Sequence, residues 1–348
     1  MSSKLIADIC EITNVKNHPN ADRLDVVFVK GWQCVVGRDQ FKTGDLVVFI
    51  PPDSMMPEQV SKRLGIHDYL KGNEQKRVGQ VRLRGEPSFG VVLPVSVIGR
   101  EVKVGEDVTD YFHITKYEPP ILGGQYDQAA PDHPLFPKYT DIENLRNYPT
   151  CFEEGETVIV TEKIHGTNVR LGMIGGVRMA GSHNRPRKAP EDAADMAKSF
   201  YWFPWTIKPV EEMIWALAME HSQVILYGET YGRVQSLRYG LPHSLAFRAF
   251  DLMLDGRYAD SSEFFDLCER FGVEHVPVVG MMKYSLGSVI KSSEGPSLVP
   301  GADHIREGVV VKPLVERYSS VVGGRLTAKY VSSDYLLGKH HERDTKDA

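Results

Sequence analysis

The sequence predicts an α+β protein in which a small β-rich domain precedes a larger domain of mixed α/β structure. Short β-branched or alternating runs, separated by turn residues, fill the chain to about residue 110, as in a small barrel or sandwich. From about residue 138, strand-like runs alternate with helical spacing. Proline and glycine are frequent between the two regions. We therefore expect domains at 1–112 and 136–348, joined by a linker at 113–135.

The elements of the first domain are short strands bounded by turns. The turn residues Gly44-Asp45 and Pro51-Pro52-Asp53 separate two of them. The predicted strands lie at 26–29, 33–36, 46–50, 79–83 and 90–93. The phrase His18-Pro19-Asn20-Ala21-Asp22-Arg23-Leu24 resembles one used in OB-fold tRNA-binding modules. A plain Pro-Asn turn that leads into a strand is the alternative interpretation.

The second domain begins with a buried-looking strand at 158–161 that delivers Lys163 at its end. Apolar residues at 210, 213, 214 and 217 have helical spacing, and a strand at 224–227 follows. A second helix is expected to begin near Asp260, where Asp260 and Glu263 form a potential capping box, and to end near Gly272. A last strand is predicted at 305–312.

Composition sets broad limits on the class of protein. The chain has 348 residues, a net charge of −5, 42% hydrophobic residues and 25% charged residues. No global positive field attracts nucleic acid, so any such binding needs local basic patches. Four cysteines without C-x-x-C spacing argue against a zinc site or disulfide framework. No signal peptide or membrane-length apolar run is visible, so we expect a soluble cytoplasmic protein, and a monomer.

Four sequence islands carry the chemistry. The first is Glu162-Lys163-Ile164-His165-Gly166-Thr167-Asn168, in which a lysine precedes a glycine turn. The others are Tyr227-Gly228-Glu229, Phe250-Asp251, and Glu307-Gly308-Val309-Val310-Val311-Lys312. A lysine nucleophile needs a lowered pKa, which nearby cations such as Lys312 and Lys329 or a metal would provide. Carboxylates suit ribose and Mg²⁺ or Mn²⁺, and an aromatic face suits a base.

Each island alone has an ordinary explanation. A lone K-x-x-G is frequent by chance, His165 fits a turn, Phe250 fits a core, and Glu307 fits a strand end. Chance does not explain their joint order at strand and turn boundaries. The order predicts covalent nucleotidyl transfer to Lys163.

The region from Phe136 to Lys329 resembles the nucleotidyltransferase domain of covalent lysyl-AMP ligases, specifically RNA ligases. The lead-in at 136–144 and the Lys163 island are similar to the RNA ligase 2 family, in which histidine marks the position held by His165. The later islands match motifs III, IIIa and IV, and Arg325-Leu326-Thr327-Ala328-Lys329 is the counterpart of motif V. With its first domain, the whole chain resembles Deinococcus-type RNA ligases. This implies an OB-like module followed by an ATP-grasp-like covalent nucleotidyltransferase fold.

The resemblance implies a role for each matching residue. Lys163 would be the adenylated nucleophile, with ATP as the source of AMP and Mg²⁺ or Mn²⁺ as the metal. Asp251 and Glu307 would support the metal. The expected nucleotide-binding residues are Glu162 at the adenine edge, Ile164, Asn168, Arg185, Glu229 at the ribose, Phe250 stacked on adenine, Lys312 and Lys329. Motif V departs from the usual K-x-K because Val331 holds its second position, and Arg187 is the alternative to Arg185 in motif Ia.

The expected substrate is RNA, in particular nicked duplexes with RNA on the 3′-OH side, including RNA–DNA hybrids. Candidate nucleic-acid contacts are Lys71, Arg77, Arg82 and Arg84 in the first domain and Arg187 and Lys188 in the second, although solvated surface explains such clusters equally well. A DNA ligase or capping-type enzyme, and a non-catalytic nucleic-acid-binding protein of the same fold, are the alternatives.

Overall fold

The chain forms two units in the computed structural model, which describes residues 5–70, 75–117 and 128–338. The first unit comprises Met1–Pro120 together with the short segment Glu143–Pro149. The second comprises Ile121–Ile142 and Thr150–Ala348. Among the described residues, no helix is long and apolar enough to span a membrane.

The first unit is built almost entirely from short antiparallel strands. Its elements are β1 (Asp8–Asn17), β2 (Leu24–Val29), β3 (Trp32–Gly37), β4 (Leu46–Ile50), β5 (Ser54–Pro57), α1 (Glu58–Arg63), β6 (Gln75–Arg77), β7 (Gln80–Leu83), β8 (Glu86–Phe89), β9 (Val91–Pro94), β10 (Thr115–Lys116) and β11 (Glu143–Asn144). Five of them form a sheet in the order β3-β2-β1-β4-β9, while β7 and β8 form a separate hairpin. The core lies between the sheet and the segment around α1, with Ile9, Val48 and Phe112 at its centre.

The five strands predicted from the sequence of this region are confirmed, but the long strand β1 and the short strands β5, β6, β8 and β10 are missing from the prediction. A register irregularity between Ile12 and Asn14 interrupts β1 where it pairs with β2. Such a bulge breaks the period-two alternation on which strand prediction depends. The segment Glu143–Pro149 is also an addition, because Trp32 Nε1 donates to Asn147 Oδ1 at 2.8 Å and the Arg146 guanidinium lies 5.2 Å from the Trp32 ring.

The described part of the second unit contains two larger antiparallel sheets, a two-stranded sheet and five helices of one to three turns. Its elements are β12 (Thr157–Glu162), β13 (Thr167–Ile174), β14 (Val177–Ser182), β15 (Pro186–Arg187), α2 (Ala193–Met196), α3 (Lys208–Ala218), β16 (Gln223–Gly232), β17 (Leu245–Leu254), β18 (Arg257–Tyr258), α4 (Ser261–Phe271), β19 (Val278–Lys283), α5 (Leu286–Ser293), β20 (Gly308–Pro313), β21 (Tyr318–Ser319), β22 (Gly324–Arg325), β23 (Ala328–Val331) and the single-turn α6 (Ser333–Leu337). One sheet has the order β15-β14-β13-β16-β17-β18, and the other contains β23-β20-β12-β19.

The six-stranded sheet is covered on one face by helices. Residues of β13 that alternate with Arg170, such as Val169 and Leu171, pack with Val210 and Ile214 of α3 and with Phe264 of α4. The opposite face carries Arg170 and its row partners in β16 and β17. Because successive strand residues point to opposite faces, this second face is left for the residues of the predicted site.

The helix at 208–218 and the strands at 158–161 and 224–227 are confirmed, and two details differ. The predicted capping box of the second helix is wrong. Asp260 is the N-cap residue of α4, but its carboxylate accepts from Glu316 N at 2.8 Å, and Glu263 pairs with Arg257 at 2.9 Å. The helix does end at Gly272, in a left-handed conformation with φ 70°. The last predicted strand starts at Gly308 rather than 305, so Glu307 lies just before it.

Candidate active site

Lys163 occupies the turn that joins β12 to β13. Its backbone N–H donates to Gly308 O at 3.0 Å, which fixes the turn beside the start of β20. Its side-chain Nζ donates to Glu307 Oε1 at 2.7 Å. The nucleophile candidate and the motif IV carboxylate, which are 144 residues apart in sequence, are therefore in direct contact.

Gly166 ends the same turn, where the chain passes very close to β16. A Cβ atom at Gly166 would lie 2.2 Å from Thr230 O, so only glycine fits without a backbone shift. The Gly166 N–H donates to Glu229 Oε1 at 3.1 Å, and Asn168 pairs with Glu229 in the β13–β16 register. The turn thus brings the predicted ribose-binding carboxylate to the nucleophile. The neighbouring Ile164 side chain is buried in an apolar cluster.

The charges around Lys163 oppose one another. Burial raises the pKa of Glu229 to about 8, against the lowering effect of Lys163. Burial also acts to raise the pKa of Glu307, but Lys163 and His165 outweigh it and hold the value at about 2. For Lys163, burial favours the neutral amine, yet Glu307 and Glu229 raise its pKa above the ordinary value.

The protonation state of Lys163 thus differs from the sequence-based expectation. Neighbouring cations were expected to lower its pKa, but Lys312 donates instead to Asp251 Oδ2 at 2.7 Å, and the neighbours of Lys163 are carboxylates. Without bound nucleotide, Lys163 is an ammonium ion paired with Glu307.

His165 belongs to the same turn and lies next to Glu307. It lies 9% exposed, and its Nδ1 is 3.3 Å from Glu307 Oε2. Its backbone N–H donates to the Tyr239 hydroxyl at 2.7 Å. Glu307 therefore lies between the amine of Lys163 and the ring of His165, with its Oε2 accepting no hydrogen bond of good geometry within the described part of the chain.

Glu162 faces a loop in this structure. Its Oε1 accepts from Ser297 Oγ at 2.5 Å and its Oε2 from Leu298 N at 2.6 Å. The side chain is 1% exposed. Both carboxylate oxygens are thus engaged by the loop that precedes β20, and contact with an adenine edge would require this loop to share or release them.

A β-bulge brings Phe250 and Asp251 together beside Lys312. The pairing of β16 with β17 shifts between Tyr227 and Gly228, which leaves Phe250 as the extra residue. A bulge re-aims side chains, so two successive residues can face one region instead of opposite faces. The Phe250 ring lies edge-on to Tyr139, with centroids 4.9 Å apart, and remains partly buried between two apolar clusters.

Asp251 is held by cations and a hydroxyl group. It accepts from the Tyr139 hydroxyl at 2.7 Å and pairs with Lys312 and Arg325, each at 2.7 Å. It is 1% exposed, and these partners hold its pKa below the ordinary value although burial opposes ionisation. The sequence-based assignment of Asp251 to the metal disagrees with this geometry, because its charge is already neutralised and it shares none of these partners with Glu307. No cluster of three or more potential ligands for a metal occurs among the described residues.

Arg325 is the main residue that sequence reasoning missed. Its guanidinium bonds Glu316 and Asp251, and it stacks on Tyr258 with 3.7 Å from Cζ to the ring centroid. It stood in the motif V phrase without a role of its own. Lys329, four residues later, lies half-buried in β23 opposite Val310 of β20, and Val310 in turn pairs with Thr161 of β12. By strand alternation Lys329 shares a sheet face with Lys312 and Thr161.

The motif Ia candidates lie at the end of the six-stranded sheet. Ser182 N donates to Arg185 O at 2.9 Å and closes the turn between β14 and β15, with the Arg185 side chain exposed. The Arg187 guanidinium lies 4.7 Å from the Tyr201 ring, whereas Lys188 is exposed. Neither arginine is thereby favoured for the role.

Asn168 Oδ1 is buried and accepts no hydrogen bond within the described ranges, as expected of an atom that binds a ligand.

The basic candidates of the first unit differ in their surroundings. Lys71 lies outside the described residues. Arg77 pairs with Asp53 at 2.6 Å and stacks on Tyr117, with Cζ 3.7 Å from the ring centroid, so its charge is engaged within its own unit. Arg82 and Arg84 are exposed on the β7–β8 hairpin.

Comparison with known proteins identifies the family and the fold. A family model described as RNA ligase matches residues 156–331, just over half of the 348-residue chain, and a model described as an OB-fold domain matches residues 6–95. No curated protein matches the chain. Among solved structures, a Naegleria gruberi RNA ligase with PPi has a TM-score of 0.79 at 24% identity, covering 99% of this chain and 100% of that chain.

Two further structures from Naegleria gruberi are as similar. An RNA ligase variant with ATP and Mn has a TM-score of 0.79 at 25% identity, and a variant with AMP and Mn has a TM-score of 0.78 at 25% identity. Each covers 96% of this chain and 98% of the other. The α+β prediction, with an OB-like domain before a ligase-type nucleotidyltransferase domain, is thereby confirmed. The family match includes Lys163, Glu229, Glu307 and Lys329, and this chain is an enzyme of the RNA ligase family.

Proposed function

We propose that this protein is an ATP-dependent RNA ligase that joins a 3′-OH to a 5′-phosphate through AMP bound covalently to Lys163. The observation that carries the proposal is the 2.7 Å contact between Lys163 Nζ and Glu307 inside the region matched by the family model. Glu229, bonded to the glycine that ends the same turn, lies beside them. The similar Naegleria gruberi ligases with ATP or AMP and Mn support ATP as the nucleotide.

In the first step, Lys163 Nζ attacks the α-phosphorus of ATP, an N–P bond forms, and the bond to the pyrophosphate leaving group breaks. Because Glu307 holds the amine as an ammonium ion, a proton must leave before attack. Glu307 Oε1 accepts from Nζ, and Glu307 Oε2 lies 3.3 Å from His165 Nδ1, so the proton leaves through Glu307 to His165. The close approach at Gly166 restrains the backbone of the turn and Glu307 holds Nζ, which favours in-line displacement.

Metal binding fits one of the two expected carboxylates. Glu307 Oε2 lacks a well-formed hydrogen bond, and magnesium sites commonly use one or two carboxylates together with substrate phosphates and water. We therefore assign the metal to Glu307 and the phosphates, without Asp251. Bound Mg²⁺ or Mn²⁺ supplies charge neutralisation at the phosphates.

The nucleotide contacts are proposed from position and chemistry. Glu229 accepts from the ribose, and Phe250, re-aimed by the bulge, stacks on the base. Asn168 offers its unsatisfied Oδ1. Lys329, which shares a sheet face with Lys312 and Thr161, contacts the α-phosphate. The remaining proposed members are Glu162, Ile164, Arg185 and Lys312, of which Lys312 must share its ammonium with Asp251.

In the later steps AMP passes to the 5′-phosphate of RNA, and the 3′-OH attacks that activated end and releases AMP. We propose nicked duplexes with RNA on the 3′-OH side, including RNA–DNA hybrids, as substrates of a monomeric enzyme. We propose an RNA-binding module at 1–112, a linker at 113–135 and a catalytic domain at 136–348, as predicted from the sequence, except that Glu143–Pro149 belongs to the first unit.

Incubation with ATP labelled on the α-phosphate tests the proposal. The wild-type protein should acquire label that survives denaturing electrophoresis, and Lys163→Ala should acquire none. Lys208→Ala is a matched control, because that lysine side chain is 82% exposed on α3, and it should label like the wild type. Label on Lys163→Ala, or no label on wild-type protein stripped of AMP with pyrophosphate, would contradict covalent chemistry at Lys163.

A further inference from the structure

The β7–β8 hairpin stands outside the five-stranded sheet of the first unit. Its strand β8 is fixed to β3, because Cys34 Sγ donates to Phe89 O at 2.9 Å and Val35 N donates to Ser88 Oγ at 3.0 Å. Its strand β7 is an outer strand whose residues 81 to 83 are exposed on both faces. The hairpin therefore presents a firmly held surface to solvent.

The hairpin turn contains an arginine where one is unfavourable. Arg84 and Gly85 are the two central residues between the paired Leu83 and Glu86, with φ values of 51° and 95°. Positive φ at both positions fits a type I′ turn, which prefers Asn-Gly or Asp-Gly. A non-glycine residue in this region carries a conformational cost, and arginine lacks the short polar side chain that relieves it. Arginine is therefore not chosen for the geometry of this turn, and its charge is the feature that it adds there.

The loop between β1 and β2 holds that turn in place. Asn20 Nδ2 donates to Arg84 O at 3.2 Å. His18, 5% exposed, accepts from Asn20 N at Nδ1, so its Nε2 carries the proton and donates to Leu83 O at 2.9 Å. The phrase that begins at His18 thus anchors the hairpin tip by two side chains that contact consecutive carbonyl groups.

The exposed surface of the hairpin is basic and partly apolar. Arg82 and Arg84 are exposed, and Val81 and Leu83 are 39% and 37% exposed. The nearest acid in the hairpin, Glu86, accepts from Gln33 Nε2 at 3.0 Å, which partly occupies its charge. Asp22, in the anchoring loop, is a second exposed acid. Two cations beside apolar side chains suit phosphates with sugars or unpaired bases, rather than an acidic peptide alone.

We propose that the tip and outer strand of the β7–β8 hairpin bind the sugar–phosphate backbone of the RNA substrate. Arg82 and Arg84 contact phosphates, Val81 and Leu83 contact the sugars, and His18 and Asn20 position the tip. This proposal rests on the proposed function for the nature of its ligand, and it names the surface that holds the substrate.

The substitution Arg84→Asn separates charge from fold, because asparagine is a preferred residue for this turn. It should leave the melting temperature unchanged or raise it, while binding of a fluorescent nicked RNA duplex weakens roughly tenfold at low salt. The double substitution Arg82→Ala with Arg84→Asn should make the plot of log affinity against log salt shallower by about 1.5 to 2, as expected for two lost phosphate contacts. Arg63→Ala with Lys103→Ala removes the same charge from exposed positions elsewhere in the unit, and should leave that slope unchanged.

The positioning role of Asn20 is tested in combination with Arg84, whose carbonyl group it contacts. Asn20→Ala should weaken RNA binding in the wild-type background but have no further effect in the Arg84→Asn background, because it acts through Arg84. Equal RNA affinity and salt slope for the wild type and the Arg82/Arg84 double variant would overturn the proposal. So would an equal loss in the Arg63/Lys103 control. Because this assay contains no ATP, its outcome is independent of the labelling of Lys163: failure to label wild-type protein would instead sink the proposed ligase reaction.

Discussion

At the scale of single residues, the second unit contains a buried network of charged side chains. Asp251 is surrounded by Lys312, Arg325 and the Tyr139 hydroxyl, and Arg325 is paired in turn with Glu316. Such a network is stable only while every member keeps its partner, because an unpaired buried charge has no water to solvate it. Its position next to Phe250 means that the proposed base-stacking residue rests on a rigid polar layer.

Asp251→Asn should therefore cost about 3–5 kcal/mol of unfolding free energy, because it leaves Lys312 and Arg325 sharing a neutral amide in place of a carboxylate. Urea denaturation at neutral pH measures this loss. Tyr139→Phe is the matched control: it removes one hydrogen bond to the same carboxylate and should cost about 1 kcal/mol. If Asp251→Asn stayed within 1 kcal/mol of wild type and lost only its metal response, Asp251 would be a metal ligand after all.

The residues of the site show which of its features can be predicted from sequence. Lys163, Glu229 and Glu307 could be proposed as members of one site because each stands beside a local signal, a glycine turn or a strand end, and the structure brings them together. Which cation neutralises which carboxylate could not be identified, because the pairs are formed by residues far apart in sequence. Asp251 and Arg325 are 74 residues apart, and nothing in either local pattern indicates that they meet. The neighbours of Lys163 were misjudged for the same reason, because they are carboxylates and Lys312 pairs with Asp251.

At the scale of elements, regular periodicity was reliable and irregularity was not. The helix at Lys208–Ala218 and the strand at Thr157–Glu162 follow from spacing alone. The strand Asp8–Asn17 and the bulge at Phe250 do not, since each departs from strict alternation. The bulge matters more for the site, because it brings Phe250 and Asp251 together beside Lys312. Bulges carry such placements in many active sites.

The turn between β12 and β13 depends on Gly166 in a testable way. Gly166→Ala should lower the melting temperature and reduce adenylation of Lys163, because the new Cβ would lie 2.2 Å from Thr230 O and push the turn away from Glu229. Gly287→Ala, on α5, is the matched control, since no atom lies within 4 Å of its new Cβ. That substitution should raise stability by about 0.5–1 kcal/mol and leave adenylation intact. Equal behaviour of the two variants would show that close approach at Gly166 is unimportant.

At the scale of the whole molecule, the two-part organisation could be predicted from composition, but the route of the chain could not. The proline- and glycine-rich stretch marked a change from one pattern to another. Nothing in it indicated that Glu143–Pro149, beyond that stretch, returns to the first unit. The return is specific: Gly31 N donates to Arg146 O at 2.9 Å, and a Cβ at Gly31 would lie 2.8 Å from the Arg146 backbone. Sequence alone does not indicate such a close approach, because a glycine gives no information on which residue packs against it.

The returning segment should decide whether the first unit is stable as a fragment. Trp32, 4% exposed in the whole chain, is covered by Arg146 and bonded to Asn147, and it is the only tryptophan before residue 150. A fragment of residues 1–149 should therefore show blue-shifted tryptophan emission and a higher urea midpoint than a fragment of residues 1–117. The difference should amount to about 2 kcal/mol, from one buried hydrogen bond and the covered ring. Arg146→Ala with Asn147→Ala in the longer fragment should remove most of it. Identical emission and midpoints for the two fragments would mean that the first unit is complete without the segment, and that its return contributes only the path of the chain.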